Sequence, residues 1–358
     1  MKKSVRTALI VTAGLILAVL VFAAIQRLLI PKYQTGTVEG SMIEEYYDAK
    51  EPHEILILGD CEVFENISPV ALYSEYGLSS YIRGSAEQYI WQSYYLLEDT
   101  LRYETPKVVV LSVHSLQFDQ PRKEEYNRMT LDGMRWSGTK IEAIKASMLP
   151  EEKFVDYVFP ILRYHYRWSE LGSDDFTHFA SKDKVSHNGY YMRCDVKPYE
   201  GFPPAFPLAD YTLGSNAMGY LNRIIDLCEA KGIKLVLFKA PIEYPSWYTQ
   251  WDEQIQKVAD SRGIPYINLI GNDDIGLDMS VDTYDAGLHL NLTGAEKLSS
   301  YLGNWLISRY TLTDFRQDAE TSAAWEEKIS YYNAMRDRQM SEIEQYGHLV
   351  SFGASAIN

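Results

Sequence analysis

The chain has 358 residues, room for one large α/β domain with an insertion or for two smaller domains. Hydrophobic residues make up 46% and charged residues 23%, which supports a packed core and excludes wholesale disorder. With 34 Lys and Arg against 49 Asp and Glu the net charge is −15, so a nucleic-acid groove, which needs a basic surplus, is not expected.

Charge is placed unevenly. Residues 1–32 hold Lys2, Lys3, Arg6, Arg27 and Lys32 and no acid, so the remainder carries −20. Thr7 to Gln26 is uncharged and rich in Ala, Val, Leu and Ile. A helix of about 20 residues spans roughly 30 Å, the hydrocarbon thickness of a bilayer. The basic flank keeps the short N-terminus in the cytoplasm. The expected order is a cytoplasmic tail (1–6), a transmembrane anchor (7–30) and a stalk (31–53), with the large domain outside the cell membrane. A cleaved signal peptide is the rival reading. The stretch exceeds the usual signal core of about 7–15 residues, and no Ala-x-Ala site follows it.

Strand and helix signals then alternate. Glu54–Leu58 is an apolar run ended by Gly59, a buried strand. Pro69–Tyr76 reads as a helix with Ser68 as N-cap. Ser79–Ile82 is a short second strand, Glu87–Tyr103 a helix and Lys107–Leu111 a third strand. Ala217–Lys231 is a helix stopped by Gly232, and Ile233–Phe238 a fourth strand. Ser246–Ser261 is a helix, Tyr266–Leu269 a fifth strand and Leu292–Ser308 a closing helix. This alternation predicts a three-layer α/β/α domain over 54–314, with a five-stranded, mainly parallel, flavodoxin-like sheet. Residues 119–215 interrupt it and are expected to form an aromatic-rich cap over the carboxyl edge of the sheet. Within them, Asn188-Gly189 marks a turn. Residues 315–346 read as a charged amphipathic helix outside the core, a packing or partner element, within a C-terminal extension reaching 358.

Functional groups in such sheets collect at the carboxyl ends of the strands. Three motifs fall there: Gly59-Asp60-Cys61, Arg83-Gly84-Ser85, and Asp285 with His289. Together they supply a thiol, a loop glycine, a carboxylate and an imidazole, the minimum for acyl transfer. Cys61 is the expected nucleophile, its pKa lowered by amides at a helix start. His289 takes its proton, and Asp285 fixes the imidazole tautomer. Gly84 presents a backbone N–H to an oxyanion without a side chain in the way. Asp60 belongs to the same binding side and also pins the turn.

The plain readings stand beside these. Cys61 is a buried thiol, His289 a loop-satisfying ring, and Asp60 a turn residue alone. Arg163, His165 and Arg167 form a solvated or paired face, or a site for an anionic polymer. Asp273, Asp274 and Asp278 make a solvated acidic loop, without the spacing of a calcium loop. Cys194 and Cys228 are structural. No phosphate loop, CxxC pair or dinucleotide fingerprint occurs, so no cofactor or metal is expected.

The order of Gly-Asp-nucleophile, a glycine after strand two and a late Asp…His pair resembles the SGNH/GDSL hydrolase family over residues 54–118 and 216–308. The family has serine where this chain has Cys61. Its late motif is usually Asp-x-x-His, whereas Asp285 and His289 are one residue further apart, leaving Asp282 as a second candidate for the acid. The resemblance also implies that His114, near the position of the family's oxyanion Asn, donates to the oxyanion. With an N-terminal anchor, the chain resembles the extracytoplasmic subset that includes the D-alanyl-lipoteichoic acid transfer protein and alginate O-acetyltransferases. That implies a cell-envelope carbohydrate or polyol as substrate and a membrane-bound O-acyltransferase as partner. The competing classes are a non-catalytic envelope scaffold with an eroded triad, and a thiol esterase for acylated lipid or protein.

Overall fold

A computed structural model describes residues 2–31, 41–173, 175, 176, 179, 184–244 and 246–350. Part of the expected stalk (32–40) and the chain beyond 350 lie outside the described residues. The molecule divides into two compact units, residues 1–39 with 150–183 and residues 40–149 with 184–358.

The larger unit is built on one parallel sheet. Its strands are β1 (Ile55–Gly59), β2 (Ser80–Gly84), β3 (Val108–Ser112), β4 (Lys234–Lys239) and β5 (Tyr266–Asn268), in spatial order β2-β1-β3-β4-β5. Every neighbouring pair is parallel. This is the doubly wound order, and it reverses direction between β1 and β3, which opens a crevice at their carboxyl ends. β1 to β3 are buried on both faces, as the continuous apolar runs require. Pleating sends Ile55, Ile57, Val108, Val110, Val236 and Phe238 into a core shared with the helices Pro69–Tyr76, Leu292–Ile307 and Ala319–Tyr346. The alternate residues, among them Leu56, Val109 and Leu235, are buried on the other face, where helices Ile90–Thr100 and Ser215–Lys231 run. Three layers result, as the alternation predicts.

Three expectations need correction. Arg83 and Gly84 lie within β2 rather than after it, in register with Leu58 and Gly59. Lys239 ends β4 inside the sheet. The charged helix Ala319–Tyr346 is not outside the core: Trp325 is 0% exposed, stacks on Tyr73 at 4.5 Å and donates its indole N–H to Ser79 Oγ at 3.2 Å. Its apolar positions are sparse, and for that reason its composition reads as a packing or partner helix lying outside the core. Asn188 (φ 53°) and Gly189 (φ 85°) form the two-residue turn expected there, bridged by His187 and Tyr190. An added Cβ at Gly189 would meet the Ile82 carbonyl, so the turn docks on β2 by close approach.

In the smaller unit the helix Lys2–Leu29 accompanies the short helices Phe154–Val158 and Pro160–Tyr164 and the 3-10 helix His165–Ser169. The segment Val5–Leu29 is long and apolar enough to cross a membrane.

Candidate active site

The turn that carries Cys61 is set by backbone sterics. Gly59 has φ +155°, and a Cβ there would lie 2.5 Å from Ser112 Cβ on β3. Asp60 then caps the short helix Cys61–Phe64, its Oδ1 accepting from the Glu62 N–H at 3.1 Å. Cys61 is thereby presented at the carboxyl edge, half-buried.

The Asp285–His289 loop folds back through two residues with positive φ, Ala286 (65°) and Gly287 (93°). Thr283 Oγ1 closes it, donating to the His289 carbonyl and accepting from the Gly287 N–H, both at 2.8 Å. Asp285 therefore reaches its partner twice: Oδ1 accepts the His289 backbone N–H at 2.7 Å, and Oδ2 meets Nδ1 at 2.6 Å. A spacing of four residues works because the extra residue is absorbed in the left-handed turn. Asp282, the other candidate acid, is buried on Lys297 Nζ at 2.6 Å and Thr293 Oγ1 at 3.0 Å.

Cys61 and His289 lie close enough for each to shift the other's proton affinity. The structure thus brings Cys61, His289 and Asp285 together from opposite ends of the unit. The His289 and Asp285 side chains keep 20% and 23% of their exposure, so solvent reaches the cluster. Asn66 ties the two segments directly, its Oδ1 accepting the Leu290 N–H at 2.8 Å.

Two carboxylates act on the ring. Burial alone would depress the His289 pKa, but Glu65, Cys61 and Asp285 hold it well above the usual imidazole value. Glu65 Oε2 lies 3.7 Å from Nδ1, and the Tyr284 hydroxyl donates to the same carboxylate. Glu65, Asn66 and Tyr284 carry no motif and went unread in the sequence; the one available signal is that Glu65 sits one helical turn after Cys61. Burial pushes the Cys61 thiol up to about 12, with His289 pulling it down and Asp60 pushing it further up. This reverses the lowered thiol expected from helix-start amides, because a four-residue helix offers little dipole against the desolvation that burial imposes.

A second polar cluster occupies the strand switch point beside Cys61. His114, on a 3-10 turn after β3, meets Asp60 Oδ2 through Nδ1 at 2.6 Å and Gln117 Nε2 through Nε2 at 2.9 Å. Both ring nitrogens of the expected oxyanion donor are therefore engaged. Burial would lower the His114 pKa, but Glu62 and Asp60 raise it. Lys239 is 0% exposed, with Nζ 2.5 Å from Glu62 Oε1 and donating to the Ile242 carbonyl at 2.9 Å. Gly84, at the end of β2, faces the Gly59 carbonyl and Phe64; a Cβ there would come within 2.9 Å of that oxygen. Arg83 turns away, its guanidinium buried against Asp99 at 3.0 Å.

The end of the expected cap borders the triad loop. Lys197 and Tyr199 exchange backbone hydrogen bonds with Met279, Thr283 and Ala286. This sets Tyr199 and Phe202 against Gly287, and Phe202 stacks on Tyr244 at 4.9 Å. Arg193 holds Asp195 in a bidentate pair at 2.9 and 2.7 Å and lies over Tyr284 at 4.4 Å.

No family model matches the chain, and no curated protein does. Among solved structures, it is similar to a chain from Bacteroides fragilis provisionally named an acylhydrolase, with 10% identity, 74% of this chain and 94% of that chain covered, and a TM-score of 0.36. A GDSL-like lipase from Bacteroides thetaiotaomicron follows at 11% identity, 76% and 100% coverage and 0.34. A lipase/acylhydrolase from Enterococcus faecalis follows at 13%, 73% and 98% and 0.33. At this level the likeness lends no weight to any function for this chain, whose own residues must carry the functional reading.

Proposed function

We propose that the protein is a membrane-anchored esterase or O-acyltransferase with its large unit outside the cell, acting on O-acyl groups of a cell-envelope glycan or polyol. One observation carries the reaction type: a thiol from residue 61 meets an imidazole–carboxylate pair from residues 285 and 289 at the carboxyl edge of the sheet. Motif order resembling SGNH/GDSL hydrolases supports the same reading. The aromatic surface of Tyr199, Phe202 and Tyr244 beside the loop suits a sugar ring. The helix Val5–Leu29 supports the anchor.

In the proposed cycle, the Cys61 proton passes to His289 and the sulfur attacks the acyl carbonyl, expelling the donor's alcohol, which takes that proton. A thioester remains. His289 then takes a proton from an acceptor hydroxyl or water, whose oxygen displaces the sulfur, and returns that proton to the departing Cys61 thiolate. Asp285 holds Nδ1, which leaves the other ring nitrogen for the sulfur and the acceptor. Asp285 and Glu65 stabilise the imidazolium that forms.

The test is Cys61→Ala against an acylated sugar or polyol ester, read by acid release and by transfer to a hydroxyl acceptor. Loss of about 10³-fold or more is expected. Full activity in that variant sinks Cys61 as nucleophile. A second reading, a binding scaffold with an eroded triad, is favoured by the thiol pushed up to about 12. An acyl adduct on Cys61 in intact-mass spectrometry excludes it.

A further inference from the structure

We propose that residues 154–169 form an interfacial element lying in the headgroup–acyl boundary of the bilayer, on the side where the helix Lys2–Leu29 emerges. The element rests on the proposed anchor and goes beyond it, since a single anchor needs no second membrane contact. The decisive juxtaposition lies within the smaller unit. Phe159 packs on Phe22 of the apolar helix, with ring centroids 6.3 Å apart, and Arg167 Nη1 donates to the Leu29 carbonyl at 2.8 Å.

These two contacts assign a depth. At 1.5 Å per residue, Phe22 lies about 10 Å along the axis before Leu29. Phe159 is thus held just inside the acyl region, and Arg167 at the level where the helix ends. Arg167 also satisfies one of the carbonyls that a helix C-terminus leaves open, and Asp175 braces it at 3.0 Å.

The outward face between these contacts is apolar. Val155, Phe159, Leu162 and Tyr166, spread over the two short helices, their link at Phe159 and the 3-10 helix, are 42%, 41%, 51% and 49% exposed. Trp168 is 66% exposed and Phe176 53%. Tyr157 and Tyr164 point inward and are buried, so the face is not a misfolded core. Large aromatic and aliphatic side chains rarely stay this open in water over one contiguous face. Lys153 to Ser169 holds Lys153, Arg163 and Arg167 against Asp156 alone, in a chain of net charge −15. Exposed Trp, Tyr and Phe side chains match the interfacial level of a membrane, where aromatic rings concentrate. The lipid surface is therefore the occupant assigned to this face. A protein partner would leave the depth match unexplained.

The test uses the full chain in phosphatidylcholine–phosphatidylglycerol vesicles, in a Cys61→Ser background whose two remaining cysteines, Cys194 and Cys228, are buried, with the labelling of that background itself subtracted. Leu162→Cys and Trp168→Cys each carry an environment-sensitive dye, and quenching is read with lipids spin-labelled near the headgroup or near the chain end. Both sites are exposed, so the fold is kept. Strong headgroup-level quenching, about threefold above that from chain-end labels, is the expected result. Val11→Cys reports the anchor separately, and each labelled protein in vesicles free of spin-labelled lipid serves as the unquenched control. Val11 quenched with both 162 and 168 unquenched overturns the interfacial element and spares the anchor. All three unquenched removes both. Sites 162 and 168 quenched with Val11 unquenched removes the anchor and, with it, the depth assigned to the element, and so overturns the proposal.

Discussion

Glu65 follows Cys61 by one helical turn, and its carboxylate faces the ring that Asp285 orients. Glu65 and Asp285 raise the proton affinity of this ring and burial raises that of the thiol, so proton transfer from Cys61 to His289 is favoured as pH rises. Alkylation of Cys61 by iodoacetamide, followed by mass spectrometry, should therefore accelerate above neutrality. Glu65→Gln removes an anion that raises both the ring and the thiol, so the midpoint of this profile should move to lower pH. An unmoved midpoint would separate Glu65 from the proton chemistry. At Gly59, φ +155° and the 2.5 Å approach to Ser112 leave no room for a methyl group. Gly59→Ala should lose about 2 kcal/mol or more in urea unfolding, through strain and displaced strands. Gly59 and Asp60 were legible in sequence as a sharp turn. The roles of Glu65 and Asn66 were not, because a carboxylate one turn beyond a thiol gains meaning only when the distant loop arrives.

Elements explain two further features. The helix Ala319–Tyr346 is mostly polar, yet Trp325 stacks on Tyr73 and Tyr332 is buried beside it. Trp325→Ala should cost about 3–5 kcal/mol in thermal or urea unfolding, the range for emptying a large aromatic site. A cost below about 1 kcal/mol would show that the helix rests loosely on the core. The strand β4 ends in Lys239, whose ammonium is buried against Glu62. Lys239→Met leaves that carboxylate buried without its cation and should destabilise by about 3–5 kcal/mol; Glu62→Gln in the same chain should recover part of the loss. Apolar runs made the strands readable, while a lone lysine at a strand end and a few apolar positions in a charged helix carry too little periodicity to announce burial.

At the scale of the molecule, the pH response of stability includes His187, which sits in the hairpin turn docked on β2. Burial pushes its pKa down to about 3, with Lys184 and Lys328 nearby. The native state keeps this ring neutral while the unfolded chain protonates it near pH 6.5. Stability from this group is present above about 6.5 and is lost progressively as pH falls toward 3. The melting temperature should fall over that window, and His187→Gln should flatten the slope. An unchanged slope would assign acid sensitivity to other groups.

Local periodicity and turn chemistry are enough to read the apolar N-terminal helix, the strand–helix alternation and hence the doubly wound parallel sheet from the residues alone. The motifs also single out Cys61, Asp285 and His289 as residue types. Only the tertiary structure decided that they meet, that Asp285 rather than Asp282 holds the ring, and that the thiol is raised rather than lowered. Proton affinity is set by burial and by charges arriving from distant segments, and neither quantity exists until the chain has folded.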